Sequence, residues 1–118
     1  MVTLVLPFEK VAVREYVDHR GSSPFALWFD SLDAPAAAKV TTAIYRMELG
    51  NLSNIKSVGA GVLEFRIDFG PGYRLYFGRD GHTVVILLGG GTKKRQDLDI
   101  RIAQERWQDY KRRKLEAR

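Results

Sequence analysis

The stretch LEFRIDFGPGYRLYFG at residues 63–78 alternates apolar and polar side chains on both sides of a Gly-Pro-Gly break. The apolar positions are Leu63, Phe65, Ile67, Phe69, Tyr73, Leu75 and Phe77. Because successive side chains of a strand point to opposite faces, a period of two on either side of a short glycine-rich loop predicts an antiparallel hairpin. Its apolar face requires a core, and its other face brings together two arginines and a tyrosine.

The polar face of this hairpin carries Arg66, Arg74 and Tyr76. If residues 70–72 form the loop, symmetric pairing places Asp68 opposite Arg74. The same pairing places Arg66 opposite Tyr76, about 5 Å apart at Cβ. An exposed Arg74–Asp68 pair would only stabilise the hairpin, and this is one interpretation. The other is that the arginines bind phosphate and the tyrosine stacks on a base.

A glycine run followed by basic residues, GGGTKKRQ at 89–96, ends the predicted sheet. Pairing around the favoured turn Asp80-Gly81 returns this segment to the rim that carries Arg74. The glycines would let the backbone approach a ligand, and the basic triplet would contact phosphate. The alternative is a flexible exit loop with solvated charges. The residues expected to converge with Arg66, Arg74 and Tyr76 are Lys93, Lys94, Arg95 and Gln96, a set that suits single-stranded RNA better than duplex DNA.

Composition limits the class of function. The 118 residues include 19 Lys and Arg against 14 Asp and Glu, and the formal charge of +5 favours a polyanionic partner. With no cysteine and two histidines, we expect neither a disulfide nor a metal site. No apolar run is long enough for a membrane span, MVTLVLPFEK does not resemble a secretory signal, and nucleotide-binding loops are absent. We therefore expect one cytoplasmic domain over residues 1–118, without cofactor or membrane partner.

The remaining segments predict a small α+β domain. KVAVREYV at 10–17 is expected to form a strand with Val11, Val13 and Val17 on one face, and TLVL before it extends this strand or pairs separately. Two helices with N-caps at Ser23 and Asp33 follow as an αα-hairpin.

The second half of the chain is expected to contain a loop, a meander and a helix. LSNIKSVGAG at 52–61 reads as loop, and TVVILL, which is apolar on both faces, as a central strand of a three-stranded antiparallel meander. DLDIRIAQERWQDYKRRKLEAR forms the last helix, with Asp97 and Asp99 near its start in a capping role or close to the site. Its basic end, residues 111–114, is either a solvated terminus or a contact for ribosomal RNA.

LEFRIDFGPGYRLYF and the later LLGGGTKKRQDLDI resemble the RelE/ParE toxin superfamily, and more narrowly its phage-derived or HigB-like addiction module killer proteins. The resemblance extends over nearly the whole chain, and residues 59–96 are its most specific part. It implies an α+β toxin that enters the ribosomal A site and cuts mRNA without metal, leaving a 2′,3′-cyclic phosphate. It also implies a cognate antitoxin, expected to be a helix-turn-helix protein encoded nearby.

The resemblance further implies roles for single residues. Arg74 corresponds to a main phosphate-binding catalytic residue, and Arg66 and Lys93 belong to the same active edge. The family usually has an acid immediately before this lysine, where the present chain has Thr92. The general base is therefore left open, and either histidine is a candidate.

Two alternatives stand beside the nuclease. A ParE-like inhibitor of DNA gyrase, acting by binding, shares the fold, so architecture does not separate the two. An inactive relic would bind only its antitoxin. The paired arginines and the lysine-rich segment favour the nuclease, whereas Thr92 favours its competitors.

Overall fold

The fold is a five-stranded sheet with helices on both faces, seen in a computed structural model that describes residues 10–117. The strands are β1 (Ala12–Glu15), β2 (Ile55–Ser57), β3 (Leu63–Ile67), β4 (Tyr73–Asp80) and β5 (Val84–Thr92). The helices are α1 (Pro24–Asp30), α2 (Ala34–Glu48) and α3 (Gln96–Glu116), and a 3₁₀ turn (Lys93–Arg95) joins β5 to α3. The predicted α+β class is confirmed, while the TLVL segment lies outside the described residues.

The sheet has the order β1-β5-β4-β3-β2. The antiparallel meander β3-β4-β5 is confirmed, and β1 adds to β5 in parallel, with Ala12 beside Val84. The apolar strand β5 is internal and covered on both faces, as expected. The loop predicted at 52–61 is wrong in part, because Ile55–Ser57 pairs with the start of β3. Three residues are too few to show an alternating pattern.

Two hydrophobic cores lie on the two faces of the sheet. On one face, α1 and α2 pack on alternate residues of the meander, and the core includes Phe25, Val40, Met47, Phe65, Leu75, Phe77, Val85 and Leu87. On the other face, α3 packs on Tyr16, Tyr76, Ile86 and Leu88 through Ala103 and Trp107. The expected position of Val17 on the buried face of β1 is wrong, since it is 42% exposed beyond the strand end.

The first two helices begin where the sequence predicts. The Ser23 hydroxyl accepts a hydrogen bond from the Ala26 amide at 3.1 Å, and the Asp33 carboxylate accepts one from the Ala36 amide at 2.9 Å. Each cap satisfies an amide that the first helical turn leaves unpaired. Helix α2 ends before Gly50, whose φ of 83° is the left-handed conformation favoured there.

The C-terminal half of α3 is tied to the β4–β5 turn end of the sheet. Tyr110 and Lys114 both donate to the Asp80 carboxylate, at 2.6 and 2.5 Å, and Tyr16 donates to Asp109 at 2.7 Å. The hydrogen bonds from Lys114 and Tyr110 hold the pKa of the Asp80 carboxyl below its ordinary value. Part of the basic helix end therefore serves the fold. Within residues 10–117, no helix combines the length and the apolar composition that a bilayer crossing needs.

Gly78→Ala tests the close packing of α3 on β4. The Trp107 ring lies directly where a Cβ at residue 78 would be, so alanine should destabilise the protein by about 1–3 kcal/mol. Urea denaturation measures this, with the exposed turn variant Thr83→Ala as control, expected within about 0.5 kcal/mol of wild type. Without the tryptophan contact, alanine in a strand would stabilise by about 0.5–1 kcal/mol, so a gain would contradict this packing.

Candidate functional site

The β3–β4 hairpin has a longer loop than the sequence predicts. The observed residue pairs are Ile67 with Tyr73, Arg66 with Arg74, and Glu64 with Tyr76. The loop thus spans residues 68–72, closed by a 2.9 Å hydrogen bond from the Gly72 amide to the Phe69 carbonyl. The predicted pairing is wrong, but the offset is even, so every side chain keeps its predicted face.

A buried ion pair between Arg74 and Glu64 stands at the centre of this polar face. The Arg74 Nε atom lies 3.7 Å from Glu64 Oε1, and the two side chains are 6% and 2% exposed. Charges buried to this extent require a partner, because each loses its hydration. The partner expected for Arg74, Asp68, instead lies 3.1 Å from Arg66 in an exposed pair.

Glu64 connects four elements of the structure. Its Oε2 accepts a 2.9 Å hydrogen bond from Gln96, the first residue of α3, and its Oε1 lies 3.8 Å from the Lys56 ammonium of β2. The sequence reasoning missed Glu64, although it precedes Arg66 by two residues on the same face. The symmetric pairing placed it opposite Gly78, away from the arginines, and so hid its role.

The Arg74 guanidinium has unused hydrogen-bonding capacity. Its Nε and Nη1 atoms are buried and make no hydrogen bond within the described part of the chain. Nη1 lies 3.9 Å from where a Cβ at Gly72 would be, which places it under the 68–72 loop. Unpaired buried donors are costly, and an anion with several oxygens is the ligand that would satisfy them.

Tyr76 lies between the ion pair and α3. It is 1% exposed, so its ring presents no free face to a base, and the expected stacking role is wrong because α3 covers the ring. Burial and the neighbouring Glu64 carboxylate raise the pKa of the Tyr76 phenol strongly. The hydroxyl therefore stays protonated at physiological pH; within residues 10–117 it makes no hydrogen bond, although Glu64 is its cross-strand neighbour.

The glycine run lies inside β5 rather than in an exit loop. A Cβ at Gly90 would come within 2.5 Å of the Trp28 ring, and one at Gly89 within 2.8 Å of the Arg106 guanidinium. At Gly91 a Cβ would meet the Asp99 carboxylate. The glycines thus allow side chains of the protein itself to approach the strand closely. The expectation that they admit a ligand is wrong.

Asp99 lines a cavity of about 130 Å³ with Tyr76, Arg106 and the backbone of Gly89. Burial raises the pKa of its carboxyl, and the nearby Arg95 and Arg106 only partly offset this effect. Asp99 lies in the first turn of α3, but this helix has no side-chain cap. Asp99 therefore does not cap the helix through its side chain, although it lies close to the helix N-terminus.

The basic triplet forms an exposed rim beside the buried ion pair. Lys93, Lys94 and Arg95 are exposed and form no ion pair with any residue from 10 to 117. They line a cleft of about 380 Å³ with Gln96 and Arg101. Gln96 belongs both to this rim and to the hydrogen bond with Glu64, so it links the two.

The predicted site residues thus divide into three groups. Arg74, Tyr76 and Gln96 meet at Glu64, the basic triplet forms the rim, and Arg66 lies on the solvent side of β3. His19 is exposed in a loop, and His82 is exposed in the turn at the other end of the sheet. Across the described residues, no group of three or more His, Cys, Asp or Glu side chains is placed to hold a metal ion.

Comparison with known proteins places this site in a family context. Residues 27–108 match the family described as "Phage derived protein Gp49-like (DUF891)", and this span includes the ion pair, the rim and most of α3. An uncharacterized protein of Haemophilus influenzae is 44% identical over 81 residues, which cover 68% of this chain and 82% of that protein.

Glu64→Ala tests the central ion pair. Removing one partner leaves the Arg74 charge buried without compensation, which should lower the free energy of unfolding by about 3–5 kcal/mol. The matched control is Asp68→Ala, which breaks the exposed pair with Arg66 and should cost less than about 1 kcal/mol. Urea denaturation compares the two, and equal losses would show that burial does not set the energy of the inner pair.

Asp99→Asn tests the buried carboxyl through pH. Because the folded-state pKa of Asp99 is raised, the stability linked to this group is present below the unfolded pKa of about 3.9 and is lost as pH rises through the folded value. The variant should match wild type near pH 3.5 and become the more stable protein by pH 7. Urea midpoints measured across this range test the prediction. Asp97→Asn, which removes one exposed carboxylate from the same helical turn, is the control, and an equal change with pH in both variants would contradict the effect of burial on Asp99.

Proposed function

Because the chain belongs to the phage-derived Gp49-like family, which is of the RelE/HigB toxin type, we propose that it is a ribosome-dependent mRNA endoribonuclease. The family indicates the toxin of a toxin–antitoxin pair, whose partner is an antitoxin. The observation that supports the nuclease is the Arg74 guanidinium, with two unpaired buried donors, beside the exposed cationic rim.

The proposed reaction is attack of an mRNA 2′-hydroxyl on the adjacent phosphorus. The O2′–P bond forms and the P–O5′ bond breaks; the 2′-hydroxyl gives up its proton, and the departing 5′-oxygen takes one up. Negative charge then grows on the non-bridging oxygens, where the Arg74 donors would bind, with Arg66 directly opposite on β3 as a second guanidinium. In a site shielded from water, such donors stabilise charge far more than they would in solution. The products are a 2′,3′-cyclic phosphate and a 5′-hydroxyl.

The rim would hold the RNA and assist the leaving group. Lys93 or Lys94 stabilises or protonates the departing 5′-oxygen, and Arg95 contacts a neighbouring phosphate. Gln96 donates to the Glu64 carboxylate and orients it. Glu64 in turn fixes Arg74, so Gln96 positions the catalytic arginine from its place on the rim, while the buried Tyr76 packs beside Glu64 without touching RNA.

The ribosome is the proposed source of most of the rate enhancement. Holding the 2′-hydroxyl in line with the phosphorus can lower a barrier by about 7–11 kcal/mol in well-oriented systems. Free RNA is flexible and does not present this geometry to a largely buried arginine. Cleavage of naked RNA should therefore be weak. The reaction uses side-chain donors, and the proposal includes no metal ion.

A second candidate is a gyrase inhibitor that acts by binding. The observation that favours it is the enclosure of Arg74 by Glu64, together with Thr92 at the position where the family usually has an acid. In this case the cationic rim would contact an acidic surface of gyrase, and no bond would be broken.

The test is 5′-end mapping of mRNA in a translating extract. Wild type should produce ribosome-dependent cuts, and both Lys93→Ala and Arg74→Lys should reduce cutting by about 10- to 1,000-fold. Arg74→Lys keeps the buried charge opposite Glu64 but removes the planar fork, so it separates phosphate geometry from folding.

The control is Arg79→Ala, which removes an exposed cation beside the β4–β5 turn, at the other end of the sheet from the rim. It should cut like wild type, and circular dichroism should show that all variants are folded. A DNA supercoiling assay run in parallel separates the candidates. Intact mRNA together with inhibited gyrase would transfer the assignment to the second one.

A further inference from the structure

A second cationic cleft lies between α2 and β3. It has a volume of about 300 Å³. The exposed residues that line it are Lys39, Thr42, Arg46, Asn54, Arg66 and Asp68, whereas its lining residues Ala43, Phe65 and Ile67 are buried. All exposed lining residues are therefore polar or charged, unlike a groove for an apolar peptide segment.

The cleft has an excess of positive charge. Its carboxylate, Asp68, is 84% exposed and already lies 3.1 Å from Arg66. Lys39 and Arg46 form no ion pair within the described range of residues. The Lys39 ammonium lies 5.2 Å from the centre of the Phe69 ring, which holds it beside the 68–72 loop. A concave surface with unpaired cations concentrates field and attracts an anion.

We propose that this cleft binds the phosphate backbone of single-stranded RNA, as a subsite that continues from Arg74 through Arg66. The inference rests on the proposed function, since it extends the RNA path of that same site. Arg66 lines the cleft and is the cross-strand neighbour of Arg74. The cleft lies on the α2 face of the sheet, whereas the Arg74 side chain lies on the α3 face. Arg66 follows the last residue of β3 that pairs with β2, so it lies at an open sheet edge, and the RNA would pass around this edge to contact both.

The chemistry of the cleft favours RNA over an acidic protein segment. Protein–protein contacts depend on buried aromatic and apolar anchors, and the cleft exposes none. Arginine and lysine with hydroxyl and amide neighbours are typical contacts for phosphate and sugar. No aromatic face is exposed for stacking, so the subsite would hold the backbone without reading sequence.

The test variant is Lys39→Ala/Arg46→Ala. Both side chains are exposed on α2, and alanine favours a helix, so the fold should be retained. Fluorescence anisotropy with a 12-nucleotide 2′-O-methyl RNA, which lacks the attacking hydroxyl, measures binding over a salt series. Loss of two phosphate contacts should reduce the slope of log K against log salt by about 1.4 and weaken binding about tenfold at low salt.

The matched control is Lys10→Ala/Arg79→Ala, which removes the same charge from two exposed residues near the β4–β5 turn, at the other end of the sheet. Its salt slope should equal that of wild type. If both double variants lost the same RNA affinity, net charge alone would explain the effect, and the subsite would be overturned. Unchanged binding by the α2 variant, or wild type that does not bind the RNA, would also overturn it. A parallel titration uses polyglutamate, which mimics an acidic protein segment. If the α2 variant lost polyglutamate binding but kept RNA binding, the result would indicate an acidic protein partner and overturn the subsite.

Failure of the subsite is distinguishable from failure of the nuclease. If wild type cuts mRNA and the α2 variant binds and cuts equally well, the subsite is overturned and the proposed function stands. Wild type that leaves mRNA intact, with RNA binding still dependent on Lys39 and Arg46, removes the nuclease and supports the cleft as an RNA-binding surface.

Discussion

The buried ion pair between Arg74 and Glu64 is the constraint on which the site depends. Each charge loses several kcal/mol of hydration on burial, and their attraction compensates only if geometry and further hydrogen bonds are favourable. Gln96 provides one such bond, which is why the start of α3 lies beside the β3–β4 hairpin. The pair leaves Nε and Nη1 of the arginine without hydrogen bonds among the described residues, and because both atoms are buried, a phosphate would have to reach them beneath the 68–72 loop.

Glycines in the sheet determine how closely the helices approach this pair. Trp107 lies on Gly78 and Trp28 on Gly90, and Asp99 lies where a side chain at Gly91 would be. Ordinary side chains at Gly78 and Gly91 would hold α3 further from β4 and β5, and one at Gly90 would displace α1 on the other face. The distance from Gln96 to Glu64 would then exceed hydrogen-bonding range, and the carboxylate would lose its fixed orientation. The packing of α3 is therefore part of the site.

Sequence patterns predicted the faces of the meander strands and the caps of the first two helices, because both depend on neighbouring residues. They did not predict the pairing of Arg66 with Arg74, since an alternating pattern fits any even offset and the loop length decides among them. The sequence predicts an exposed Tyr76, because the same strand face carries arginines. In the structure α3, which is distant in sequence, packs over the tyrosine. The role of Glu64 could not be predicted for the same reason, since its partners come from β2, β4 and α3.

Burial separates two kinds of cation in this structure. Exposed lysines and arginines at the rim and in the α2 cleft act through a field that salt screens within about 8 Å, so they attract and align a polyanion without strongly stabilising a transition state. Arg74 is shielded from water and would act far more strongly on a charge that reaches it. A phosphodiester reaches such a depth only if another body bends and holds the RNA. An enclosed arginine beneath an open cationic rim is therefore more consistent with the proposed ribosome-dependent enzyme than with a general ribonuclease.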